Sequence, residues 1–419
     1  MTAPAAGRAV KIRMYNVGFG DSFLLTFPAD DGDRLVLVDC GRHFASRGGR
    51  PIDQVVATIL DDVTRDGRAH LDLVIATHRH QDHISGFADE RWKTVDVGEV
   101  WLPWTEHPKD PEARRIRDAQ TNAARRLQAA CERLPAAAAA PALELARNSA
   151  TNAAAIETLR RGFAGRPRRL YLPTEERAEA TFQPQTLPGV VVHVLGPSRD
   201  PDVIRDLNPP PAESYLALLR ETSPSERERR SPFGRIWTVG RDEFAAEGHY
   251  PELTMTDTEI EAVDGLGSSD PFALAVALER AVNGTSLMLV FELGEALFLF
   301  PGDAQWGTWK AALDDPEWRL LLERTTFYKV GHHGSHNGTP KTFVRQVLGA
   351  TDETTATLGG FSAMVSTETI PMWPKIPKPE LLADLGKRTT RLGRTDRTAQ
   401  PDGFRVGPQG LYVETTITV

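Results

Sequence analysis

Residues 76–86 read ATHRHQDHISG, so His78, His80, Asp82 and His83 crowd into six positions directly after the apolar run LDLVIAT. No other stretch constrains the fold as tightly, because four donor side chains must leave one strand end together. In an extended segment, side chains two positions apart point the same way, so His78 and His80 can approach one cation. The chain then turns into the helix suggested by ISGFADE, which sets Asp82 and His83 at the helix mouth beside that cation. Imidazole and carboxylate donors suit zinc, with manganese or iron as alternatives. The competing reading is a chance group of surface or core histidines. It would prevail for one histidine and fails for HxHxDH after a buried strand.

A second cluster, YKVGHHGSHNG, holds His332, His333 and His336 and also follows an apolar strand. Its glycines let the backbone approach a ligand closely. Between the clusters, LFLFPGD ends an apolar strand on Asp303, where a carboxylate can bridge two cations. Standing alone, Asp303 would read as a turn or capping aspartate. Beside two histidine clusters the metal reading is favoured.

The rest of the chain places these motifs. VKIRMYNV and SFLLTF flank the tight turn GFGD, and DRLVLVDCG forms a third strand ending near Asp39. PIDQVVATILDDVTRDG has apolar residues at helical spacing and reads as a helix. RRLYLP, VVVHVLGP, FALAVALE, TSLMLVFEL, ALFLFPGD and TFYKV read as strands, helices are expected around 305–324, and GLYVETTITV closes the chain on a strand. Strands and helices alternate in two halves, which favours an α/β fold, an αββα sandwich, over separate domains. We expect one domain over residues 1–419, with a helical insertion at about 106–165, a loop-rich insertion at about 197–270 and a basic C-terminal extension at about 370–419.

A net charge of −8 argues against a surface coated for non-specific nucleic-acid binding, while leaving room for a local basic groove. Cys40 and Cys131 lie far apart and form no CxxC pair, so a disulfide framework is not expected and a reducing cytoplasm is the easier setting. No stretch approaches the length of a membrane span or a signal peptide, and no membrane association is expected.

THRHQDHISG resembles the HxHxDH signature of the metallo-β-lactamase fold. The ordered set NVGFGDSFLL, LVDCG, NGTSLMLVFELGEALFLFPGD and YKVGHHGS is similar to the hydrolase domain of the competence protein ComEC and its relatives, including phosphorylcholine esterases. The likeness runs over roughly residues 9–370 and leaves out the helical insertion, the 197–270 loops and the tail. It implies two divalent metal ions. His78 and His80 would hold the first, Asp82 and His83 the second, and Asp303 would bridge them. A histidine of the pair would complete the second site. His333, next to Gly334, is favoured, with His332 facing the substrate or the two exchanged. Many members of the fold supply a further first-site histidine, for which His193 and His249 are candidates. The ComEC-like pattern NxxS instead sets Asn283 and Ser286 there. Asp21 and Asp39 would orient a ligand histidine. Cys40 reads as a small buried residue.

These residues imply a metal-dependent hydrolase using a metal-bridged hydroxide, with Asp82 offsetting the charge and Gly334, Ser335 and His336 holding the leaving group or a non-bridging oxygen. The branch resemblance favours a phosphodiester, in a small molecule, a nucleotide or a nucleic acid. Hydrolysis of a carboxylic ester, lactone or amide is the alternative, and a non-catalytic binding module on the same fold is a third. Basic segments RRGFAGRPRR (160–169), ERERR (226–230) and KRTTRLGRTDR (387–397) offer grips for a polyanion, against the plainer reading of solvated surface arginines. The sequence names no protein partner.

Overall fold

Nearly continuous apolar runs become the central strands, buried on both faces, and shorter, more exposed strands join them at the margins. In chain order these are β1 (Ala9–Tyr15), β2 (Ser22–Phe27), β3 (Arg34–Cys40), β4 (Thr64–Arg65), β5 (Arg68–Ile75), β6 (Asp96–Pro103), β7 (Arg168–Leu172) and β8 (Thr181–Phe182). They are followed by β9 (Val191–Gly196), β10 (Met288–Leu293), β11 (Ala296–Phe300), β12 (Phe327–Lys329), β13 (Ser362–Val365), β14 (Leu392–Arg394), β15 (Phe404–Val406) and β16 (Tyr412–Thr418). The helices are α1 (Ile52–Val63), α2 (Gln81–Ile84), α3 (Pro111–Cys131), α4 (Ala153–Glu157), α5 (Pro201–Arg205), α6 (Pro271–Asn283), α7 (Trp306–Asp314), α8 (Pro316–Glu323) and α9 (Pro379–Arg388). This computed structural model describes residues 8–132, 152–174, 180–215, 271–349, 360–371 and 373–419, and within 133–151 only residues 139, 142, 143, 146 and 148. The chain divides into two compact units, Met1–Tyr215 with Asp270–Val419 and Leu216–Ser269, and every described residue lies in the first.

One sheet runs β15-β16-β1-β2-β3-β5-β6-β7, with β4 paired to β5; the other runs β14-β13-β12-β11-β10-β9-β8. The two meet face to face. Ile12, Phe23, Leu25, Val36 and Ile75 of the first sheet share one core with Val192, Phe291, Phe298, Phe300 and Phe327 of the second. The alternate residues of the same strands face outward onto helices: Leu24, Leu37 and Val74 onto Val55 and Ile59 of α1, and Val290 and Leu299 onto Trp309 of α7, Leu322 of α8 and Leu381 of α9. Such double burial explains why these strands read as nearly continuous apolar runs. The layering is that of an αββα sandwich.

Three segments depart from the sequence reading. FALAVALE, expected as a strand, is helical within α6, where Leu274, Leu278 and Val282 are buried at helical spacing. The segment 370–419 is no appendage: β14 pairs with β13 in parallel, and β16 pairs with β1 along all seven of its residues. Helix α1 stops at Val63, and Gly67 instead turns the β4–β5 hairpin. Most of the alanine-rich link falls outside the described residues. Cys40 and Cys131 are both buried and free. Among the described residues no helix is long and apolar enough to cross a membrane.

Candidate metal centre

Strands β3 and β5 pair in parallel, as do β11, β12 and β13, and the candidate residues leave the carboxyl ends of these strands. Asp39 ends β3, His78 and His80 follow β5, Asp303 follows β11, and His332 and His333 follow β12. Open α/β sheets commonly place ligand sites at such ends. The turns there are unusual. Asp39, His332 and His333 adopt φ of 57°, 47° and 51°, and a Cβ on Gly41 would stand 2.3 Å from the His83 amide nitrogen, so only glycine fits. Left-handed backbone at non-glycine residues persists where the surroundings hold it, and it clusters at functional sites.

Two three-residue groups present ligand atoms within 4.8 Å of one another: His78, His83 and Asp303, and Asp82, His83 and His333. They share His83. Its Nδ1 donates to Asp39 Oδ2 at 2.8 Å, and its Nε2 lies 3.3 Å from Asp303 Oδ2 without hydrogen-bond alignment. His333 Nδ1 donates to the Ser366 carbonyl at 3.0 Å, and its Nε2 stands 3.1 Å from Asp82 Oδ2. Thr77 Oγ1 donates to Asp39 and stands 3.2 Å from His78 Nδ1, so it can accept from that nitrogen. Each of the three imidazoles is therefore fixed through Nδ1 with Nε2 left for a cation, the arrangement found around metal-bound histidine. A third group, Asp21, Asp39 and His83, gathers on the Nδ1 side, where Asp39 is spent on His83 and Asp21 is ion-paired to Lys329.

His80 stands outside these groups. Its Nδ1 approaches His78 Nε2 at 3.1 Å, close to the ~3.3 Å between two nitrogens on one tetrahedral zinc. His332 also stands outside them. Its Nε2 is 3.6 Å from Asp303 Oδ2 and 3.3 Å from Asn283 Nδ2, and at 13 % side-chain exposure it is more open than His83 and His333. The pair thus divides: His333 turns to Asp82, and His332 to Asp303. Ser335, expected at the substrate, is buried, with its hydroxyl between His332 Nδ1 and Asn337 Oδ1, so it positions His332 instead. His336 is half-buried, and its carbonyl holds Tyr215 and Ser214. His193 is a strand residue bonded to Glu292 and Thr181, away from the cluster. His249 and ERERR (226–230) lie outside the described residues. Ser286 Oγ accepts from the Asp303 amide at 3.2 Å, so the NxxS pair does flank the centre.

Charge agrees with this geometry. Burial alone would raise Asp82 and Asp303, yet His333 and His83 hold Asp82 well below the usual carboxylate range, and His83 and His332 do the same for Asp303. Burial lowers His78, reinforced by His83 and His80, and takes His80 to about 4. Against burial, Asp303 and Asp39 raise His83, and Asp21 and Asp82 raise His333. Asp82 Oδ1 and Asp303 Oδ1 are buried without a hydrogen-bond partner. An unsatisfied buried carboxylate oxygen is costly unless a cation meets it, and the Oδ2 atoms of the same two carboxylates face the imidazoles of His333, His83 and His332. The donor set fits one or two such ions.

Two participants escape motif reading. Lys329 is 2 % exposed, ion-paired with Asp21 and 3.9 Å from Asp303 Oδ1. Its only sequence signal is a lone charge in the apolar strand FYKV. Glu279 lies one helical turn before Asn283 on α6, hence on the same face. Burial, with the charges of Asp82 and Asp303, pushes its carboxyl up to about 8.

Neither a protein-family model nor a curated protein matches the chain. Among solved structures it is similar to Zn(2+)-bound PqqB from Methylobacterium extorquens, aligning 91 % of this chain with 87 % of that one at 12 % identity and a TM-score of 0.36.

Proposed function

We propose that the protein is a metal-dependent hydrolase of phosphodiesters, with zinc bound by His78, His80, Asp82, His83, Asp303 and His333. The observation that carries the metal reading is the pair of donor groups sharing His83, in which the buried carboxylates of Asp82 and Asp303 each keep one oxygen without a hydrogen-bond partner. Bound cations would supply hydroxide near neutral pH and polarise a phosphoryl oxygen. The phosphodiester rests on the motif resemblance, and a cytoplasmic setting on the two free cysteines.

The chain's own residues set the rest. Asp39, Thr77 and Ser366 fix the three imidazoles, and Lys329, ion-paired with Asp21, lies beside the Asp303 carboxylate. His332, neutral because burial lowers it and held by Ser335 and Asn283, is placed to face the substrate. Without metal Glu279 keeps its proton at neutral pH, and this carboxyl would serve as a proton source for a leaving oxygen. The test is hydrolysis of bis(p-nitrophenyl) phosphate beside a lactone panel by zinc-loaded protein. Turnover of the phosphodiester is expected, and turnover confined to lactones would overturn the substrate assignment.

A further inference from the structure

The segment RRGFAGRPRR does more than decorate the surface. Arg79, placed between two candidate ligands, sends its side chain to the opposite side from His78 and His80, as alternation requires. There it grips the buried carboxylate of Glu106 through Nε and an Nη at 2.8 and 2.9 Å. Arg160 bonds the same carboxylate and the Glu106 carbonyl, both at 3.0 Å. Among the described residues Arg117, from α3, donates to the Thr105 carbonyl alone. Arg169 is held by the carbonyls of Leu159 and Pro167.

Four guanidiniums thus gather where the described residues supply one buried carboxylate, with exposed Asp118 at the margin. Glu106 is already saturated by Arg79 and Arg160. The unmatched charge is visible in Arg117, whose guanidinium burial lowers and whose neighbours Arg160 and Arg79 lower further, Glu106 notwithstanding. Arg160 Nε is buried without a partner, and Tyr171, coupled to Arg160, Arg169 and Arg117, stands beside them partly exposed. Helix α3, which carries Arg117, packs on α6, tied by Gln120 Nε2 to the Ala281 carbonyl at 3.4 Å, and α6 carries Glu279 and Asn283.

We propose that Arg117, Arg160 and Arg169, with the Tyr171 hydroxyl, form a subsite for a second phosphoryl group of the substrate, beyond the one that is cleaved. Guanidinium forks match phosphate oxygens in pairs, and a cluster with surplus positive charge gains most from a dianion. This rests on the phosphodiester reading for its substrate, while the anion site can be tested apart from it.

Two measurements on the full chain decide. Inorganic pyrophosphate is titrated calorimetrically into metal-free protein. Wild type should bind one equivalent, and Arg117→Gln and Arg160→Gln should each weaken it about tenfold, the scale of a charge-assisted hydrogen bond. Equal binding by wild type and both folded variants, or no binding, overturns the subsite. Zinc-loaded protein is then compared on the thymidine dinucleotides TpT and pTpT. The KM for pTpT should be about tenfold lower, and that preference should collapse in Arg117→Gln. Hydrolysis of both dinucleotides with one KM overturns the subsite and leaves the reaction standing. Pyrophosphate binding lost in the variants, without hydrolysis of either dinucleotide, supports the subsite and contradicts the reaction.

Discussion

At the residue scale, protonation links the site to its cation. A cation needs unprotonated imidazoles. His80 is neutral above about pH 4, and burial holds His78 well below the usual imidazole range, so neither costs a proton, whereas Asp303, Asp39 and Asp21 keep protons on His83 and His333 above their ordinary value. Zinc binding at pH 7 should therefore release about one to two protons per chain. Affinity should rise with pH until both rings are bare. Calorimetry in buffers of differing ionisation enthalpy would read this, and uptake without proton release would contradict it. Glu279 gives the opposite sign. Its acid form persists up to about 8 without metal, and cations that neutralise Asp82 and Asp303 would bring that value down. Rate should fall as pH rises through it, and Glu279→Gln should remove that limb from the kcat/KM profile. Lys329 is a third case. Lys329→Met would strand Asp21 beside Asp303 in the interior and should cost about 3–5 kcal/mol in urea unfolding. Adding Asp21→Asn should recover part of the loss. An unchanged midpoint in the single variant would show the pair to be dispensable.

At the element scale, much was legible because burial leaves a period in the letters. Strands β1 to β3, β5 and β9 to β12 show as apolar runs, and the candidate donors lie at or just after the ends of β3, β5, β11 and β12. What stayed hidden has physical causes. FALAVALE is apolar at nearly every position, so a buried strand and a helix buried along one side look alike until packing decides. Lys329 and Glu279 belong to no spacing pattern, since their roles arise from elements that meet only in three dimensions. Ser335 lies in the right motif, but its hydroxyl is turned to His332, which no spacing reveals. The shared core carries its own expectation: Phe291, buried between the sheets, should cost about 3–5 kcal/mol as Phe291→Ala, lowering the whole unfolding transition together.

At the scale of the molecule, the centre exists only because two sheets face each other with their parallel strand ends together. The first contributes Asp39 and the HxHxDH turn, the second Asp303 and the histidine pair. Strand β16 returns from the far end of the chain to complete the first sheet beside β1. The central claim is that these distant segments hold cations jointly. Metal analysis of zinc-loaded, dialysed wild type and Asp303→Asn, with bis(p-nitrophenyl) phosphate turnover on the same samples, addresses it directly. The account predicts zinc retained by wild type, with loss of zinc and of orders of magnitude in rate in a variant that stays folded. Wild type free of zinc, or a variant with equal zinc and equal rate, would contradict it.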